Sequence, residues 1–263
     1  MKALTAQIEG IGMLGPGFGD WPEAAAVLNG SAAGTGQATV VPLLAVLPSA
    51  ERRRAALIVR LAIAAGLQAT AAAGRLPAQL PSIFASSGGD GPNCHELCTV
   101  LASDRQVSPT RFHNAVHNAA AGYWSIATGA KTSSGALSAH DASFAAGLLE
   151  ALVLVASEAS PVLFIAYDAP YPQPLHAVRP IADAFAVAMV LSPLAPATPF
   201  ARLSVTVGDG DASNLADPRL EALRRSIPAA RSLPLLRLLA RREAGVVNLD
   251  YLDDRCIGVE VTP

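Results

Sequence analysis

Between residues 108 and 151 the chain repeats apolar or small side chains at helical spacing, loses the pattern, and then resumes it. Phe112, Ala115, Val116, Ala119, Ala120 and Tyr123 recur every three to four positions, so the spacing predicts a helix opened by Ser108 and Pro109. A hydroxyl at the cap and a proline at the first helical position suit a helix start, where the missing N–H has no partner to lose. A buried turn of extended chain and a tight connection follow. Residues 135–139 then read as extended chain entering a second helix at His140 and Asp141. Asp141 is placed to accept from the first-turn amides at the positive end of the helix dipole.

The rest of the chain alternates between the two periods. Residues 2–14 alternate as a strand that ends in the turn Gly15-Pro16-Gly17, and Asp20 with Glu23 forms a capping box for a short helix. Residues 31–37 are small and loop-like. An Ala/Leu/Ile stripe over 48–73, flanked by Arg52, Arg53, Arg54 and Arg60, predicts one long helix. Strands are predicted at 81–85, 161–168, 185–191, 201–207 and 256–261, the first running into the glycine loop from Ser86 to Gly91. Amphipathic helices are predicted at 218–226 and 234–243. Strands interleaved with helices make this an α/β protein.

Composition narrows the function classes. Of 263 residues, 51% are apolar and only 15% charged, and the net charge is −2, so no nucleic-acid partner is implied. So low a charge fraction suits a surface partly covered by a partner. The longest apolar run, 55–74, contains Arg60 and Gln68 and reads as a buried helix, not a membrane span. Without the pattern of a signal peptide, and with an odd three cysteines, the expectation is a cytoplasmic protein.

Candidate chemistry is sparse. Gly10-x-Gly12-x-x-Gly15 fits a dinucleotide fingerprint in form, but Pro16, Gly17 and Gly19 deny it the helix that must follow. Cys94-His95-Glu96-x-Cys98 lacks two further zinc ligands and is read as buried structural cysteines, and His113 with His117 lacks the intervening Glu of a zinc protease. No metal and no cofactor are expected. Ser138, His140 and Asp141 are close in sequence, yet neighbours on extended chain face opposite ways, and no Gly-x-Ser-x-Gly surrounds Ser138.

Several short motifs come in a telling order: Gly10-Ile11-Gly12, Ser108-Pro109, Asn118, Ala121-Gly122-Tyr123, Ser125-Ile126, Gly129 and Arg179-Pro180. In that order and spacing the chain resembles the N-terminal half of β-ketoacyl synthases, of the thiolase-like superfamily. Laid over the family without gaps, the nucleophilic cysteine falls on Asp141, which cannot form the acyl thioester that condensation needs. The motif resemblance ends at Gly208; the two catalytic histidines and the glycine-rich phenylalanine loop of the family's second half are not found.

The resemblance implies a thiolase-like half: a mixed sheet of about five strands layered with helices, with the Asp141 helix buried beneath it. A ketosynthase-like part would span 1–208, and a basic helical extension with a closing strand, packed on the same domain, would span 209–263. It further implies a non-condensing chain length factor, as in aryl-polyene, polyketide or type II fatty-acid-like pathways. Its partners would be a full-length β-ketoacyl synthase, in a heterodimer, and an acyl carrier protein. Thr110, Arg111, Phe112, His113, Asn118, Ser87, Gly88 and Gly89 would then lie at the acyl tunnel or the interface, with Ser86 and Asp90 beside them. Arg224, Arg225, Arg237 and Arg241 would offer a docking surface for the acidic carrier. Asp141 would be a degenerate nucleophile position with no catalytic residue in its place. The alternatives from other classes are an independent acyl-transfer or hydrolytic enzyme using Ser138 and His140, and a purely structural partner of a ketosynthase.

Overall fold

The computed structural model describes residues 3–195, 200–252 and 254–263. Within them the chain runs β1 (Leu4–Leu14), α1 (Trp21–Leu28), α2 (Ser49–Arg54), α3 (Leu57–Ala72), β2 (Ser82–Ala85), α4 (Gly91–Ala102), α5 (Pro109–Asn114), α6 (Ala119–Thr128) and β3 (Ser134–Leu137). It continues through α7 (Ser143–Glu158), β4 (Val162–Asp168), α8 (Leu175–Val178), β5 (Phe185–Ser192), β6 (Ala201–Asp209), α9 (Pro218–Ser226), α10 (Leu233–Arg241), β7 (Gly245–Asp250) and β8 (Arg255–Thr262). The expected first strand began at residue 2, which lies outside the described residues.

All the described strands join one mixed sheet of order β3-β2-β4-β5-β1-β6-β8-β7. Pairing is parallel where β2 meets β3 and β4, and antiparallel from β4 through β5, β1, β6 and β8 to β7. The sheet therefore has eight strands, not about five. Past residue 208 the chain adds β7 and the expected closing strand β8 to this sheet. β8 pairs with β6 over its full length, and β7, a half-exposed edge strand with weak alternation, pairs with β8.

The central strands β4 and β5 are buried at every position. Such strands read as continuous apolar runs because helices cover both faces. Phe164, Val187 and Met189 face α7, α1 and α10, while Leu163, Ile165, Ala186 and Ala188 face α3 and α6. The α3 side is lined with small residues for a steric reason. A Cβ on Gly10 would sit 2.5 Å from the Ala69 carbonyl oxygen of α3, and one on Gly12 would come closer still to that of Ala65. These glycines are thus packing positions inside β1, and no dinucleotide turn exists there. One helical span, His140–Glu158, is long and apolar enough to cross a membrane; half of it is buried here, with α7 lying along β4, β1 and β2.

Two predicted helices are each broken. The 48–73 stripe divides at Ala55, which is extended, leaving α2 without a buried residue. The helix predicted from Ser108 divides between Asn114 and Ala119, and its second half runs on to Thr128, closed by Gly129 in the left-handed region. Of the predicted stripe only Ala120 and Tyr123 are buried; Phe112 is 69% and Val116 51% exposed. Ser108 makes no side-chain cap, whereas Asp20 caps α1 by accepting from the Glu23 amide as expected.

Two glycine substitutions should have opposite signs. Gly12→Ala should destabilise by about 1–3 kcal/mol or more, because the methyl meets helix backbone. Gly122→Ala, with nothing within 4 Å of its new methyl, should stabilise by about 0.5–1 kcal/mol through helix propensity. Denaturant midpoints of the two variants check this; equal shifts would refute the packing account.

Candidate functional site

β2 hands the chain to the glycine loop directly beside the end of β4, since Ala85 pairs with Ala166. Two residues further on, Asp168 is buried and accepts four hydrogen bonds. Its donors are the Ser87 amide (2.8 Å), the Ser87 hydroxyl (2.7 Å), the Ser86 hydroxyl (3.3 Å) and the Ala229 amide (2.9 Å). All four favour the ionised form, yet burial outweighs them and pushes the carboxyl up to about 6. Tyr171 closes the loop from outside: its hydroxyl lies 3.1 Å from the Ser87 hydroxyl, and the ring leaves no room for a Cβ on Gly88 or Gly91. Gly89 takes a left-handed conformation beside His117, whose Nε2 is 2.9 Å from the Leu137 carbonyl oxygen.

The second cluster lies where β3 leads into α7. His140 has φ of +51°, a conformation that non-glycine residues adopt at a cost and that gathers at functional turns. The expected cap by Asp141 is not formed. Instead the Ser143 hydroxyl accepts from the Ala139 amide (3.0 Å) and donates to the His140 carbonyl (2.7 Å). Asp141 is drawn to two guanidinium groups, Arg179 at 2.8 Å and Arg231 at 3.0 Å, which give charge-assisted bonds that backbone amides do not match. The chain of charges continues: Arg231 and Arg224 share Asp250 at 2.9 and 3.2 Å, and Arg224 also forks onto Glu221 at 2.8 Å. Arg179 additionally contacts the His140 ring and lies 5.9 Å over that of Tyr171. Both oxygens of the Asp141 carboxylate are thus engaged by cations. Ser138 donates to the Ser87 carbonyl at 3.1 Å, and among the described residues no hydrogen bond joins it to His140. The Ser138–His140 arrangement thus lacks the nucleophile-to-base contact of a hydrolase.

A cavity of about 500 Å³ opens between the glycine loop, the start of α3 and the short helix α5. Thr110, Arg111 and Gly89 line it, together with Asp90 and Asn114. Phe112, His113 and Asn118 are exposed outside it, and Ser87 and Gly88 sit behind it around Asp168 and Tyr171. α5 has no buried residue. Polar contacts hold it: Asn93 Nδ2 donates to the Arg111 carbonyl (2.8 Å), Arg111 meets Glu96 at 3.6 Å, and the Tyr123 hydroxyl donates to Asn114 Oδ1 (3.3 Å). A second cavity of about 370 Å³ is lined by Asp141, Arg179 and Arg225.

Of the four basic residues expected to dock a carrier, Arg224 is consumed by Glu221 and Asp250, and Arg241 lies 3.7 Å from Glu243. Arg225 is exposed and Arg237 half-buried. Cys94 and Cys98 are exposed instead of buried, because α4 rests on the body through Leu97 alone. Among the described residues no group of three metal-ligating side chains occurs. Asp168 and Arg231 are the functional-site residues that sequence reasoning passed over. The only signal for Asp168 was a carboxylate ending an apolar strand.

This arrangement is that of one mixed sheet with helices packed on both faces. The chain belongs to the β-ketoacyl synthase family: residues 21–246 match the model of the beta-ketoacyl synthase N-terminal domain, beyond the point where its short motifs stop. Among solved structures, a chain of the complex of the ketosynthase ApeO with its chain length factor ApeC from Xenorhabdus doucetiae is 24% identical. It superposes with a TM-score of 0.75 over 98% of this chain and 99% of that one. A chain of the ishigamide ketosynthase/chain length factor is 15% identical, with a TM-score of 0.73 over 98% of this chain and 99% of that one. A beta-ketoacyl synthase from Burkholderia phymatum STM815 is 18% identical, with a TM-score of 0.61 over 93% of this chain but only 71% of its own. At these identities the likeness is one of fold. No curated protein sequence matches.

Asp168 provides a pH test. Its folded-state value near 6 exceeds the roughly 3.9 of an unfolded chain, so between those values the native state holds a proton that the unfolded state has released. Stability from this group is therefore full below about pH 4 and falls as pH rises to 6, by on the order of 2–3 kcal/mol. Asp168→Asn should remove that dependence while placing an amide against N–H donors, an overall loss of about 1–3 kcal/mol. Parallel pH–stability curves for the two proteins over pH 4–6 would disprove it.

Proposed function

We propose that this chain is the non-condensing, chain length factor-like subunit of a two-chain β-ketoacyl synthase, shaping the acyl tunnel of a full-length partner during polyene, polyketide or fatty-acid-like elongation. The observation that carries the reading is Asp141, held by Arg179 and Arg231 at the entrance to α7, where the family's motif order calls for a nucleophile. Coverage supports it as well. The chain matches the whole length of short chains from two ketosynthase/chain length factor structures, but 71% of a beta-ketoacyl synthase.

A pairing face is available. Among the described residues β3 is an edge strand bonded on one side only, to β2, and an open edge invites a partner's strand. α6 packs beside it and exposes Ile126, and α4, α5 and the turn after α5 expose Leu101, Phe112 and Val116. We assign this face to the ketosynthase, with Thr110, Arg111, Phe112 and His113 setting tunnel depth and Asn118, Ser87, Gly88 and Gly89 framing them. Arg225 and Arg237 are left for an acidic acyl carrier protein, which long-range attraction would steer. Free cysteines suit a cytoplasmic setting.

Co-expression with a full-length ketosynthase, followed by condensation of malonyl carrier protein, tests the proposal. The expected result is a one-to-one complex whose elongation depends on this chain. Phe112→Ala should lengthen the product by at least one elongation unit in mass spectra while the complex persists. A chain that stays apart from the ketosynthase overturns the proposal. A complex whose product length ignores residues 110–113 leaves the purely structural partner.

A further inference from the structure

One stretch of the chain carries a charge balance unlike the rest. From residue 24 to residue 89 there are five arginines and a single carboxylate, Glu51, in a molecule of net charge −2. Arg75 forks onto Glu9, and Arg54 meets Glu51 at 3.3 Å. Among the described residues Arg52, Arg53 and Arg60 make no ion pair, and the Arg60 Nε is buried without a hydrogen-bond partner. α2, which carries Arg52, Arg53 and Arg54, has no buried residue.

An apolar strap leads into these arginines. Residues 33–48 form neither helix nor strand, and from 40 to 48 every side chain is apolar. Leu44 and Leu47 are buried in the core on the α3 side and fix the strap, while Val40 is 76% and Leu43 80% exposed and Val46 also stands in solvent. Thr39 ties the start of the strap to the Asp183 carboxylate and the Ala184 carbonyl at the head of β5. β5 is three strands in from β3, so this end of the strap lies away from the edge assigned to the ketosynthase.

An exposed apolar patch of this kind marks a contact with protein or membrane. Protein interfaces are anchored chiefly by aromatic and arginine side chains, with Leu and Val under-represented, and residues 40–48 contain no aromatic and no polar side chain. A bilayer asks for what the strap has: aliphatic groups for the acyl boundary and cations beside them for lipid phosphates. We propose that the strap and α2 form a peripheral membrane-binding surface, with Val40, Leu43 and Val46 entering an anionic bilayer and Arg52 and Arg53 meeting its headgroups. Backbone without regular hydrogen bonding keeps its need for water, so the side chains enter only to the headgroup–acyl boundary and the chain does not span.

The test sediments the full-length chain with vesicles of phosphatidylcholine alone and of phosphatidylcholine mixed with phosphatidylglycerol. At least about tenfold more protein should pellet with the anionic vesicles, and added salt should release it. Arg52→Gln with Arg53→Gln should cut that binding by about tenfold or more. Val40→Ser with Leu43→Ser, at side chains that stand in solvent, should cut it by a similar factor while thermal unfolding is unchanged. Val246→Ser, at an exposed apolar side chain on β7, should leave binding as it was. Equal sedimentation with both kinds of vesicle, or binding that survives the Val40 and Leu43 changes, overturns the inference. Strap variants that lose a ketosynthase or carrier partner but keep vesicle binding overturn it too, and make the strap a protein contact. The vesicle assay contains no ketosynthase, so failure of the chain length factor reading leaves its outcome unchanged.

Discussion

A carboxylate taken out of water must find all its partners inside the protein, and Asp168 finds them on two segments distant in sequence from its own. The glycine loop supplies Ser86 and Ser87, β4 supplies the residue itself, and the turn after α9 supplies the Ala229 amide. Break one of these and a buried charge is left with too few donors, which is far more damaging than the loss of an average hydrogen bond. The glycine loop, the entrance to α7 and the C-terminal helices therefore hold a single relative arrangement. Both cavities at the candidate site are built on that arrangement.

The Asp141 cluster shows how distant charges fix a turn. The turn into α7 holds a left-handed residue, His140. Beside it Asp141 is clamped by Arg179 and Arg231. Ion pairs this exposed contribute modestly to stability. Their effect is to neutralise charge and to tie the α7 entrance to Arg231 and, through Asp250, to β7. The turn thus acts as a joint between α7 and the C-terminal strands.

The face made by β3, α4, α5 and α6 has the opposite character. α5 has no buried residue and α4 only Leu97, while large apolar side chains stand in the open. Helices with so little core behind them are poorly supported on their own, since tertiary packing supplies most helical stability in proteins. A partner that covered them would supply the missing packing. Cys94 and Cys98, of a residue type usually buried, are exposed on the same helix.

Residue order alone determined the α/β class and strands at 81–85, 161–168, 185–191 and 201–207, because alternation and apolar runs report directly on which faces meet a core, and the order of its short motifs pointed to the family. It also brought Thr110, Arg111 and Gly89 to notice before the fold placed them around one cavity. It could not reveal where helices break: the stripe from Phe112 to Val116 looks like a core face, yet both residues stand exposed. Nor could it count the sheet, since β7 alternates weakly and takes its place only through pairing with β8. Asp141 was expected to cap a helix because its neighbours in sequence offer amides. Two arginines from 38 and 90 residues away took it instead. Local pattern records what a residue can do with its neighbours, and only the folded chain decides which distant charges arrive to compete.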